Sequence, residues 1–121
     1  MDADTPKIAE AWTRFARSPD EHNDDFWAVV RLHDFIRNDP ESAWQIIETI
    51  RTSDPSDHVL ANLAAGPVED LLVHHGERFI DRIETLSRQD PQFRKLLGAV
   101  WQSAIPESVW ARVKAVAGPS W

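Results

Sequence analysis

The chain has 121 residues, 42% of them apolar and 27% charged, and carries a formal net charge of −7. At roughly 100 to 200 residues per domain this is one domain, residues 1–121 with a core over about 6–117, and its composition is that of a soluble globular protein, not a disordered or fibrous one. The negative charge argues against general affinity for nucleic acid phosphate or anionic membrane, and the absence of cysteine excludes a disulfide framework, a thiol nucleophile and any thiolate metal site.

Proline punctuates the chain where helices should begin, because its missing N–H is unpaired at the first helical position anyway. Thr5-Pro6, Ser18-Pro19, Asp39-Pro40, Asp54-Pro55 and Asp90-Pro91 each put a capping oxygen before the proline, and Gly66-Pro67 and Ile105-Pro106 look like further starts without that cap. Ser18 and Glu21 have capping-box spacing, so the second helix starts at Pro19 or a little later in the acidic run. From Asp24 to Arg37 a broad apolar face gathers Phe26, Val29, Val30, Leu32 and Ile36, with His33 near its centre as a core histidine. Glu41 to Arg51 follows with Ala43, Ile46, Ile47 and Ile50, flanked by Trp44.

Beyond Asp54-Pro55 the helical spacing continues through Val59, Leu60 and Leu63. A helix from Pro67 to His75 turns Val68, Leu71, Leu72 and His75 inward and ends at Gly76, read as a left-handed terminator. Further helices carry Phe79, Ile80, Ile83 and Leu86; Phe93, Leu96, Leu97 and Val100; and Val109, Trp110, Val113 and Val116. No segment has a strand period. The expected fold is all-α, with about seven or eight short antiparallel helices arranged as stacked αα-hairpins of the HEAT type or as a compact bundle. Arg37-Asn38-Asp39-Pro40 and Arg88-Gln89-Asp90-Pro91 form a partial internal echo, and residues 1–4 and 118–121 are expected to fray.

Charge is unevenly spread: residues 1–60 hold 13 acids and 6 bases, residues 61–121 seven of each. The excess peaks at Asp20, Glu21, Asp24 and Asp25, beside Trp27 at the edge of the apolar face. Aromatic residues next to surface charge are the anchors protein interfaces use. These five residues are therefore the expected binding surface for another protein, one with basic character. Trp44, Trp101 and Trp110 are expected as wedges between helices, and Trp121 as an exposed end or a peg for the tail.

The alternative is a hydrolase or metal-dependent enzyme centred on Glu69, Asp70, His74 and His75, where Asp70 and His74 sit one helical turn apart. Against it, H-E-x-x-H, G-x-S-x-G and the phosphate-binding glycine motifs are all absent. Acids in the first turn and histidines in the last also serve the helix dipole. Hence neither a catalytic set, nor a bound metal, nor a cofactor is expected. The acidic start without an apolar run, and the lack of any stretch near the roughly 18 to 20 apolar residues that span a bilayer, point to a cytoplasmic protein. A helical stack of this size fits a monomer or a pair equally.

Leu63-Ala64-Ala65-Gly66-Pro67-Val68-Glu69-Asp70-Leu71-Leu72 with His75-Gly76, then Phe79-Ile80, Asp90-Pro91-Gln92-Phe93 and Gly98-Ala99-Val100-Trp101, resembles a bacterial family of small uncharacterised proteins. Asp39-Pro40-Glu41 with Ala43-Trp44 also fits the pattern, so the resemblance covers about residues 26–117. It implies an all-helical bacterial protein marked by the helix Pro67 to His75, and brings no activity or cofactor.

Overall fold

The structure, a computed structural model, describes residues 4–121. It is all-α, with no strand among the described residues. The elements are α1 (Thr5–Arg17), a 3-10 turn (Asn23–Asp25), α2 (Phe26–Asn38), α3 (Pro40–Ser53), α4 (Asp57–Leu63), a π turn (Ala64–Val68), α5 (Glu69–Gln89), α6 (Pro91–Leu97) and α7 (Glu107–Val116). Because α4, the π turn and α5 follow one another directly, six helical runs among the described residues replace the seven or eight expected from the sequence. The chain divides into two compact units between Asn62 and Leu63.

In the first unit α1, α2 and α3 pack against one another. Its core comprises Ile8, Ala11 and Trp12 of α1, Ala28, Leu32 and Ile36 of α2, and Ala43, Ile46, Ile47 and Ile50 of α3. On α2 these buried residues recur every fourth position, which winds one narrow stripe along the helix. That stripe differs from the face expected from the sequence: Phe26 and Val30 lie outside it, and His33 is exposed, accepting a hydrogen bond from Arg37 Nε at 3.2 Å. Arg51 is buried at the end of α3, and its guanidinium donates two bonds to Glu48, 2.9 and 2.7 Å. A fork-to-fork pair of this kind is what makes a buried cation tolerable.

In the second unit α5 is the central element, touching the π turn, α6 and α7. Leu71, Leu72, Phe79, Ile80 and Ile83 of α5 are buried, as are Phe93, Leu96 and Leu97 of α6 and Val109 and Val113 of α7. Gly76 does not end a helix, and no glycine among the described residues has positive φ. Its role is contact: a Cβ there would stand 2.9 Å from a Val109 methyl, so glycine lets α7 lie close against α5. The irregularity falls one residue earlier, at His75 (φ −139°, ψ 28°), which is half-buried instead of fully inward.

Two Asp-Pro junctions behave as the sequence predicts. The Asp39 amide donates to Phe35 O at 2.7 Å, closing α2, while its carboxylate accepts from the Ser42 amide and hydroxyl, opening α3. Asp90 likewise closes α5 through Leu86 O at 2.8 Å and caps α6 by accepting from the Gln92 and Phe93 amides. One side chain thus satisfies orphan donors while its own amide satisfies an orphan acceptor.

Three other junctions differ. Ser18-Pro19 follows the end of α1, and the next helix waits until the 3-10 turn. After Asp54-Pro55, Ser56 is the cap: its carbonyl accepts from Leu60 and its hydroxyl from Val59. Gly66-Pro67 opens no helix, since Pro67 lies inside the π turn. The wider turn accommodates a residue that lacks an N–H and whose ring would strike the carbonyl four residues back.

Candidate interaction surface

The acidic segment is shaped by a turn in which the Glu21 and His22 amides donate to Ser18 O. The chain then re-enters helix through the 3-10 turn, leaving Asp20, Glu21 and Asp24 exposed. None of the three forms an ion pair with any described residue.

Asp25 is different. Arg14 of α1 donates to both of its oxygens, Nε at 2.9 Å and Nη2 at 3.0 Å, and His22 Nδ1 lies 3.8 Å away. The hydrogen bonds from Arg14 hold the Asp25 carboxyl below the usual carboxylate range, outweighing its partial desolvation. This carboxylate joins the 3-10 turn to α1, so it supports the surface from beneath and the outward acids are Asp20, Glu21 and Asp24.

Beside them α2 begins with its apolar side chains outward. Phe26, Trp27 and Val30 are 50%, 44% and 46% exposed, large values for such residues in a helix that has a core to pack against. Residues three and four apart share a helix face, so Val30 neighbours both Trp27 and Phe26 and the three make one patch. Phe26 is steadied on its inner edge by Phe15 of α1, whose ring lies 5.4 Å away at 61°. The helical pattern of the sequence puts Trp27 at this edge but turns Phe26 and Val30 inward, whereas both are exposed. The spacing Ala28, Leu32, Ile36 was the available signal that the core stripe runs elsewhere.

The second cluster lies on α5. Glu69 and Asp70 occupy its first turn, half-buried, while His74 is exposed and His75 half-buried. The two imidazoles lie 6.4 Å apart between centroids, tilted by 56°. Among the described residues no group of three histidines or carboxylates is arranged to hold a metal ion. The backbone departure at His75, next to the glycine that admits Val109, gives this His-Gly pair a packing role.

The aromatic residues near the C-terminus also separate. Trp101 is 73% exposed and wedges between no helices, whereas Trp44 and Trp110 are half-buried. Trp121 pegs the tail: its indole N–H donates to Lys95 O at 2.7 Å, and the Lys95 ammonium sits 5.4 Å from the ring. The Gly118 amide donates to Arg94 O, and a Cβ on Gly98 would collide with Pro119 O. Residues 118–121 are therefore tied to the end of α6, against the expectation that they fray.

A model of a family of unknown function, DUF6869, matches residues 16–120, nearly all of the second unit and the first unit from the end of α1 onward. The chain belongs to this family. The match takes in the acidic turn, the start of α2, the π turn and the tail of this DUF6869 protein. No curated protein and no solved structure matches the chain. No helix among the described residues is long and apolar enough to cross a membrane.

Proposed function

We propose that this DUF6869 protein is a non-enzymatic interaction module, a small acidic adaptor, inhibitor or immunity-like protein, that binds a basic partner protein. The surface is Asp20, Glu21, Asp24 and Trp27, extended by Phe26 and Val30 and braced by Asp25. The observation that carries the reading is the juxtaposition of three outward apolar side chains with three carboxylates that have no counter-ion among the described residues. Apolar area of this kind supplies affinity at an interface, while unpaired like charges select a basic partner and speed its approach. A cytoplasmic, bacterial setting belongs to the same reading, supported by the cysteine-free sequence and the motif resemblance.

The test is affinity capture from the host, followed by measured binding of the captured protein. Trp27→Ala should weaken binding by about 2 kcal/mol, the range of an aromatic anchor. Reversing charge at Asp20 and Asp24 should slow association and flatten its salt dependence. A partner whose affinity ignores salt and all three substitutions would remove this surface from the account.

A further inference from the structure

The second unit contains a cavity of about 390 Å³ with three walls. The end of α6 and the turn after it contribute Leu97, Gly98 and Val100, α7 contributes Trp110, Val113 and Lys114, and the pegged tail flanks it with Gly118 and Ser120. That volume falls within the range of small-molecule sites, roughly 300 to 1,000 Å³. Leu97, Val100 and Val113 are buried and only back the cavity, so the apolar surface open inside it comes from the half-buried Trp110 and Ala117.

Its polar side chains, Trp110, Lys114 and Ser120, can all donate a hydrogen bond and none is acidic. No carboxylate lines it, in a protein with 20 of them, whereas Glu84 lines the cavity beside Arg88 and Arg94, and Glu10 and Asp54 line the one between α1 and α3. The Lys114 ammonium and the Ser120 hydroxyl have no hydrogen-bond or ion-pair partner among the described residues. Neighbouring backbone groups are already used: the Gly118 amide by Arg94 O, the Trp121 amide by Gly98 O, and the Ala117 amide by Val113 O. Lys114 also occupies the last turn of α7, where its charge offsets the negative end of the helix dipole.

An aromatic side, one cation without an ion-pair partner and one spare hydroxyl donor suit an anion with an aryl body. We propose that this cavity binds a small aryl carboxylate, its ring against Trp110 and Ala117, and its carboxylate on Lys114 and Ser120. The site owes nothing to the acidic surface of the first unit. Gly98 is what allows the third wall, because any larger residue there would drive Pro119 away and open the cavity.

The experiment is a titration of the ¹⁵N-labelled full chain with 3-phenylpropanoate, in parallel with its neutral amide, 3-phenylpropanamide. Saturable shifts are expected at the Trp110 indole N–H and at the Lys114 and Ser120 amides. The neutral amide, and the carboxylate added to Lys114→Gln, should each bind about threefold to tenfold more weakly, the loss of one charged contact at a partly exposed site. Lys114 is exposed, so the variant keeps its core, and a dispersed spectrum verifies that. The proposal is overturned by the absence of saturable shifts in the native chain, by equal binding of acid and amide, or by a Lys114→Gln protein that binds as the native one does.

Discussion

The two units use the same local chemistry and arrive at opposite surfaces. Each contains a junction at which one aspartate closes a helix with its amide and caps the next with its carboxylate, Asp39 in the first and Asp90 in the second. Yet the entire charge of −7 belongs to the first unit, and the second is balanced. In the second, Arg112 spans Asp81 and Glu84, so acids on α5 are answered from α7. In the first, Arg14 answers Asp25 but leaves Asp20, Glu21 and Asp24 unanswered, next to outward Phe26, Trp27 and Val30. Helix grammar is thus separable from surface: the same caps support a self-compensated face in one unit and an unsatisfied one in the other. The second unit instead keeps a cation without an ion-pair partner among the described residues, Lys114, at a cavity.

The comparison can be broken most forcefully in the cores. Ile47→Ala in the first unit and Phe93→Ala in the second each remove a fully buried side chain, and each should cost about 3 to 5 kcal/mol in denaturant unfolding. A much smaller cost in one would show that unit to be loosely packed. Next comes Gly76→Ala, which sets a methyl against Val109 and should cost about 1 to 3 kcal/mol by overpacking. Adding Val109→Ala should restore part of that loss, and a strictly additive double variant would place the strain elsewhere. Equivalence of the two junctions predicts that Asp39→Ala and Asp90→Ala lose similar amounts, about 1 kcal/mol each. A large disparity would mean that the shared motif does different work in the two units.

The smallest effect is electrostatic. Asp25 and Glu84 are both held below the ordinary carboxylate range by hydrogen bonds from an arginine, Arg14 and Arg112 respectively. A carboxyl whose folded value is lowered stabilises the fold at every pH above its unfolded value, about 4. That contribution is lost as pH falls below this value and through the lower folded one. Stability measured down the acid range should therefore fall less steeply in Asp25→Asn and in Glu84→Gln than in the native protein. Both pairs are solvent-exposed, so the change in slope should also shrink in high salt.

Helical type was legible throughout because it depends on periodicity and on local caps, and Asp39 and Asp90 do what their neighbours in sequence predict. The misreadings share one cause. Gly76 reads as a terminator because glycine just past a helical pattern so often is one, but the contact that explains it comes from Val109, far along the chain. Gly66-Pro67 looked like a start, yet the chain continues through it as a π turn. On α2 the large residues Phe26 and Val30 outweighed Ala28 in the reading, although Ala28, Leu32 and Ile36 form the buried stripe. Of the candidate surface, the acids and Trp27 were legible, whereas Phe26, Val30 and the bracing role of Asp25 were not, because each is decided by what α1 and α3 leave uncovered.

By itself the sequence determined the helical class, most helix boundaries, the confinement of charge to the first 60 residues and the absence of thiol chemistry. These are local or additive properties, settled by near neighbours or by counting. Tertiary structure alone decided which stripe of α2 is buried, that Arg14 occupies Asp25 while Asp20, Glu21 and Asp24 stay open, that Gly76 admits α7, and that Trp121 pegs the tail to make a cavity beside Lys114. Each of these depends on residues distant in sequence meeting in space, and the energy that selects them exists only once the helices are packed.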